Sequence, residues 1–284
     1  MKIVRFSVAG SRPRIGLVKG DGVVDLAFAG VHFDSVRQII ESGEAALERL
    51  KNVHETAAPG LALAAVTLLA PIERPGKYLA IGMNYQKHLE EADRLGVARR
   101  AYQTWFNKQT SCLAGPFDKI EPGVTEKLDY EVELGLVIGR SAKGVSEADA
   151  LDHVFGYFVA NDVSARDWQM HTPTFTMGKS FDTHGPIGPW IVTADEITDP
   201  QSLDLRCLVN GEVRQSNNTK NMLHPIRAQI SYLSTAFTLE PGDLIATGTP
   251  EGVGVGMDPQ SFLKSGDVVR CEVEGIGAIE NEVA

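Results

Sequence analysis

The chain has 284 residues, 43% of them hydrophobic and 23% charged, enough for one large core or a core with a small accessory domain. A net charge of −10 and a pI near 5.2 leave no basic surface for nucleic acid or for an anionic membrane. A small acidic substrate stays open, because a local cation or bound metal outweighs the overall field at short range.

The opening "MKIVRFSVAGSRPRIG" has no apolar h-region or small-residue cleavage site, so no secretory signal is expected. Its "KIVRFSV" and "RIGLVKGDGVVDL" read as strands, the second folded at "KGDG" (19–22). "VRQIIESGEAALERL" follows with Val36, Ile39, Ile40, Ala46, Leu47 and Leu50 at roughly helical spacing. "LALAAVTLLA" (61–70) is about half the ~20 residues a membrane span needs. The Pro-bearing break "APIERPGK" then marks a boundary near residue 71, between a small N-terminal α/β domain (1–70) and a catalytic domain (71–284). Strand signals dominate from there: "KYLAIGMNY", "DYEVELGLVIG", "HVFGYFVANDV", "GPWIVTADEI", and the hairpin "LDLRCLVNGEVRQS" with its "NG" turn. "QKHLEEADRLGVA" is a short helix, and Ile226, Ile230, Leu233 and Phe237 mark a longer one after Pro225. The expected class is α+β, mostly β. Cys112, Cys207 and Cys271 show neither close pairing nor metal spacing, and read as buried free thiols of a cytoplasmic protein.

Residues two apart in a strand share a face, so Asp129, Glu131 and Glu133 lie opposite Tyr130, Val132, Leu134 and Leu136. That alternation fits a strand with one wet face, or a face that binds a cation. The following "LGLVIG" has no wet face, and like charges ~7 Å apart on a partly buried face repel unless a cation neutralises them. Asp162 also ends an apolar run. Glu131, Glu133 and Asp162 would make an all-oxygen site that suits Mg²⁺ or Mn²⁺ better than zinc. His88 and Glu91 are three apart, so on a helix the carboxylate can orient the imidazole. Lys179 stands beside a glycine before a Pro-Gly-rich loop, and could pair with the acids or hold an anion. "ATGTPEGVGVG" (246–256) is no phosphate loop; it reads as a rigid loop whose amides could face a ligand. No GxSxG elbow or HExxH occurs.

The motifs "IGMNYQKHLEE", "DYEVELGLVIG", "GYFVANDVSARDWQ", "GKSFDTHGPIGP", "VNGEVRQSNNT" and "PGDLIATGTPEGVG" together resemble the fumarylacetoacetate hydrolase family, from about residue 78 to the C-terminus. The resemblance implies a β-roll-like, mixed-sheet catalytic domain, commonly a homodimer. It implies Glu131, Glu133 and Asp162 as ligands of Mg²⁺ or Mn²⁺, and His88 with Glu91 as a lid dyad that activates water. Lys179 would be the active-site lysine, with Gln169 and Thr219 as substrate or water contacts. The implied reaction is hydrolysis of a C–C bond in an acylpyruvate or other 2,4-dioxo acid through a pyruvate enolate. Decarboxylation of oxaloacetate or isomerisation of a 2-oxo-enoic acid uses the same enolate, and a non-catalytic metal-binding scaffold is the remaining alternative. Asp129 has no place in the implied ligand set. His184 stands where relatives often carry Phe and could add a polar group near the pocket. In "RLGVARRAYQTWFNK", which also holds Arg100, Tyr102 and Trp105, Arg99 is the candidate for a substrate's far polar end.

Overall fold

The computed structural model describes residues 1–284. Strands β1 (Lys2–Ser7), β2 (Arg14–Lys19) and β3 (Gly22–Asp25) form an antiparallel meander, with Gly20 at φ +58° in the β2–β3 turn. The single helix expected after it is two, α1 (Val36–Glu41) and α2 (Gly43–Thr56). Gly43 takes φ +60°, which stops α1 and redirects the chain, and helical periodicity on both sides hides that break from the sequence. The Ser35 hydroxyl accepts from Gln38 N at 3.0 Å and caps α1. Short strands β4 (Leu61–Ala62) and β5 (Thr67–Leu69) follow.

Next come β6 (Tyr78–Gly82), α3 (Gln86–Arg94), β7 (Thr104–Asn107), β8 (Leu113–Ala114), β9 (Leu128–Asp129) and β10 (Val132–Ile138). After these lie β11 (Val154–Asn161), β12 (Ser164–Ala165), α4 (Arg166–Gln169) and β13 (Gly185–Thr193). The hairpin β14 (Asp204–Val209) and β15 (Glu212–Asn218) turns at Asn210–Gly211, both at positive φ as such a turn requires. The chain ends with α5 (Ile226–Ala236), β16 (Leu244–Ala246), β17 (Val268–Val273) and β18 (Gly277–Glu282). The protein is mostly β, and no helix is long and apolar enough to cross a membrane.

A large mixed sheet runs β4-β3-β2-β1-β13-β11-β10-β16-β6-β7, and a second of four strands runs β15-β14-β17-β18. Every residue of β10 and β11 is buried, because the second sheet covers one face of the large sheet and α1 and α2 cover the other. Leu134, Leu136 and Ile138 pack with Leu205, Cys207 and Ile279 of the second sheet. Val137 and Phe158 point to the helix side, with Ile39, Ile40 and Leu50. The "LGLVIG" run lacks a wet face for this reason.

Residues 1–70 and the rest share this sheet: Lys2 pairs with Val192 and Ile3 with Ile191 between β1 and β13. Ile3, Leu17, Val36 and Leu50 also pack in one cluster with Phe158, Ile187 and Leu244. Register then brings the chemistry to one end of the sheet. Val132 faces Asn161 across the antiparallel β10–β11 pair, so the start of β10 meets the end of β11. Because β16 is antiparallel to β10 and parallel to β6, the segments leaving β16 and β6 emerge at that same end.

With a continuous sheet and a shared core, thermal unfolding of the whole chain should show one transition. Calorimetry and far-UV circular dichroism should give the same midpoint. Two separated transitions would show instead that residues 1–70 melt as an independent unit.

Candidate active site

The carboxylates of Glu131, Glu133 and Asp162 each offer an oxygen within 4.8 Å of the others, and all three residues are buried. Strand alternation puts Glu131 and Glu133 on one side, and the bond from Asp162 N to Glu131 O (2.9 Å) brings the third acid alongside. With Asp129, four carboxylates lie in this region, against three buried cations. Lys179 Nζ sits 2.8 Å from Glu131 Oε2 and 2.7 Å from Asp162 Oδ2. Lys108 Nζ reaches Asp162 Oδ1 and the Lys179 carbonyl, each at 2.5 Å. The guanidinium of Arg166 spans Asp129 Oδ2 (Nε, 2.8 Å) and Glu131 Oε1 (Nη2, 2.7 Å).

Three cations cannot pair four acids, and the acid without one is Glu133. Its Oε2 accepts from Gly248 N at 2.7 Å, whereas its Oε1 is buried without a partner. Burial, then the nearby Asp162 and Glu131, push the Glu133 carboxyl well above the usual carboxylate range. Glu131 goes the other way. Burial would raise it, but the charges of Lys179, Arg166 and His88 together draw it well below that range. A buried carboxylate oxygen with no donor, among oxygen-only neighbours, is the environment a hard divalent cation satisfies.

His88 and Glu91 face this cluster from α3. The imidazole Nδ1 lies 3.0 Å from Glu91 Oε2, and Gly252 N donates to Glu91 Oε1 at 2.9 Å. Glu91 thereby orients the imidazole with one oxygen and ties α3 to the 246–256 loop with the other. Gly96, at φ +77°, stands just past the end of that helix. The loop's amides do face acids: Gly248 N goes to Glu133, Gly252 N to Glu91, and Gly254 N and Val255 N to Asp129 (2.7 and 3.0 Å).

Between dyad and acids lies a cavity of about 240 Å³ lined by His88, Glu91, Glu131, Arg166, Gln169, Lys179 and Thr249. Its other walls are apolar, from Leu95, Val97, Phe106, Phe175, Val253 and Val255 among others. Lys179 reaches it because Gly178 packs directly on α4, where a Cβ would come within 2.2 Å of Gln169 N. A broader, shallow groove of about 1120 Å³ crosses the outer face of the second sheet and contains none of these residues.

Seven of the residues named from sequence therefore converge: His88, Glu91, Glu131, Glu133, Asp162, Gln169 and Lys179. Thr219 does not line the cavity. Its hydroxyl donates to Pro200 O and accepts from Leu203 N, both at 2.9 Å, pinning the end of the β14–β15 hairpin. Thr249 is the cavity threonine, held by its bonds to Val132 O (2.9 Å) and from Gln215 Nε2 (2.8 Å). Arg99 points outward after the turn at Gly96, pairs with Asp93 at 2.5 Å, and lines a separate shallow pocket with Arg100 and Tyr102. Trp105 donates to Gln103 Oε1 at 2.9 Å and packs against the core. His184 is fully buried away from the cavity, stacked on Phe181, with Nε2 3.0 Å from Glu121 O. Arg166 and Lys108 were not singled out from sequence, although Arg166 stands three residues before Gln169 and Lys108 directly follows the strand "TWFN".

A profile described as Fumarylacetoacetate (FAA) hydrolase C-terminal matches residues 77–284. The chain belongs to the fumarylacetoacetate hydrolase family. It is an enzyme of that family, whose members include hydrolases, isomerases and tautomerases. Oxaloacetate tautomerase fahd2, mitochondrial, of Xenopus laevis is 44% identical over 290 residues, spanning 100% of this chain and 90% of its own. The fumarylacetoacetate hydrolase of psychrophilic Exiguobacterium antarcticum superposes with a TM-score of 0.83 at 39% identity, covering 100% of this chain and 99% of that one. Maleylpyruvate hydrolase from Sphingobium sp. SYK-6, in complex with manganese (II) ion and pyruvate, gives 0.82 at 32% identity, with the same two coverages.

Burial lowers His184 from 6.5 to about 4, so its neutral form stabilises the fold above pH 6.5. That contribution, roughly 3 kcal/mol, is lost as pH falls from about 6.5 to about 4. Chemical denaturation from pH 7 to 4 should show a His184→Phe variant losing less stability than the wild type; equal losses would refute the assignment.

Proposed function

We propose that this enzyme moves a proton between the keto and enol forms of a 2-oxo acid of the oxaloacetate type, at a divalent-metal site. The observation that carries the proposal is a single oriented imidazole facing an acid cluster and an ammonium across one small cavity. Identity of 44% over the whole chain to a protein named an oxaloacetate tautomerase supports it. Glu131, Glu133 and Asp162 would hold Mg²⁺ or Mn²⁺, and the unpartnered Oε1 of Glu133 fits that role. When bound, such an ion supplies positive charge where an enolate's negative charge develops.

The chain's own groups do the rest. With Nδ1–H donated to Glu91, His88 keeps Nε2 free as the base that takes the proton from C3. Lys179 lines the same cavity and gives a proton to the 2-oxygen; return of the proton from imidazolium to amine completes the turnover. Gln169 and Thr249 offer polar contacts to the substrate, and the apolar walls exclude water from the developing charge.

A second reading is C–C hydrolysis of an acylpyruvate, with His88 deprotonating a water. It is favoured by the apolar half of the cavity, where Leu95, Val97, Phe175 and Val255 offer a wall for an acyl chain. Maleylpyruvate hydrolase, at TM-score 0.83 and 31% identity, is a relative with such a name.

His88→Ala should retain Mn²⁺ but lose about 10²- to 10⁴-fold in kcat for loss of enol oxaloacetate absorbance. An unchanged rate would exclude His88 as the base. Glu131→Ala should lose Mn²⁺ on metal analysis, and unchanged metal content would remove the three-acid site. Pyruvate release from acetylpyruvate at a rate exceeding oxaloacetate tautomerisation would favour the second reading.

A further inference from the structure

Asp129 shares the face of Glu131 and Glu133, yet its carboxylate is already committed. It is fully buried and accepts from Tyr130 N (2.9 Å), Gly254 N (2.7 Å), Val255 N (3.0 Å) and Arg166 Nε (2.8 Å). Four donors use the four acceptor positions of an ionised carboxylate, leaving none for an ion. Gly254 is what allows this approach: a Cβ there would stand 2.7 Å from Asp129 Oδ1.

The consequence falls on Arg166. A guanidinium beside a carboxylate frequently takes both oxygens through two parallel N–H groups. Here its donors are divided. Nε goes to Asp129, Nη1 donates to Gln169 Oε1 at 3.0 Å, and only Nη2 reaches Glu131, on Oε1 at 2.7 Å. The other oxygen of Glu131 stays turned toward Lys179 and Asp162.

We infer that Asp129 is a positioning residue that acts through Arg166. By holding the guanidinium at Nε and balancing its charge, Asp129 confines it to one oxygen of Glu131, keeps the guanidinium off the other, where a divalent cation has only Lys179 to displace, and aims Nη1 at the cavity residue Gln169. The inference rests on the metal reading above and assigns the acid which that reading leaves without a part. Without the Asp129 charge, Arg166 turns its fork onto Glu131 and competes with the cation for it.

The test is Mn²⁺ binding to metal-stripped full-length protein, followed by the electron paramagnetic resonance signal of the free ion. Asp129→Asn removes the charge, keeps one acceptor oxygen for Tyr130 N and Gly254 N while its amide group faces Val255 N and Arg166 Nε, and should bind Mn²⁺ about 10- to 100-fold more weakly. Adding Arg166→Gln to that variant should recover most of the loss, because the competing fork is gone. A role confined to anchoring residues 254–255 predicts no recovery, so a double variant as weak as Asp129→Asn overturns the inference. So does wild-type affinity in Asp129→Asn. Arg166→Gln alone leaves the loop anchor intact and decides the matter if Asp129→Asn does not fold. It should bind Mn²⁺ no more weakly than the wild type, and weaker binding overturns the inference. A wild type that binds no Mn²⁺ overturns the metal reading itself, and this one with it.

Discussion

Charge balance inside the sheet end is the constraint on which the site depends. Four buried carboxylates, Asp129, Glu131, Glu133 and Asp162, stand against three buried cations, Lys108, Arg166 and Lys179. Taking an unpaired carboxylate out of water costs several kcal/mol, so such a cluster persists only if each charge finds a partner. Three acids find one. Glu133 has a backbone amide on one oxygen and nothing on the other, and the cluster is one positive charge short. Glu131, Glu133 and Asp162 would hold a divalent cation that makes up the deficit, and Lys179 is at present shared by Glu131 and Asp162.

The second sheet and the helix layer serve this cluster by keeping water out. Burying β10 and β11 on both faces strengthens every interaction at their ends, attractive or repulsive. The 246–256 loop then acts as a strap of amides. Its N–H groups are spent on Glu133, Glu91 and Asp129, so one segment orients a proposed ligand, the dyad acid and the acid that holds Arg166. Dyad and acid cluster are thus hydrogen-bonded to one and the same segment.

Much of this was legible locally. Period-2 alternation put Glu131 and Glu133 on one face, helical spacing paired His88 with Glu91, and Lys179 stood out before a Pro-Gly-rich loop as a cation that could pair with the acids. The strands were readable too, as was the Asn210–Gly211 turn. Harder to read were features whose local signal points elsewhere. The break at Gly43 sits between two stretches of sound helical periodicity. Thr219 and Thr249 are both polar residues at strand ends, and only packing tells a hairpin anchor from a cavity wall. Arg99 follows α3 closely, but the chain turns outward at Gly96 and carries it to the surface.

The sequence by itself determined which donors exist and which near neighbours share a face, because strand and helix periods are properties of a few consecutive residues. That Asp162 joins Glu131 and Glu133 was suggested by the end of its apolar run and by the resemblance, and β10–β11 register between segments some thirty residues apart brings it about. Tertiary structure alone decided that Lys108 and Arg166 are the buried counter-charges, and that Asp129 is occupied by Arg166 and the loop amides. Those contacts join residues 37 to 126 positions apart, and no local period encodes which distant charge arrives beside which acid.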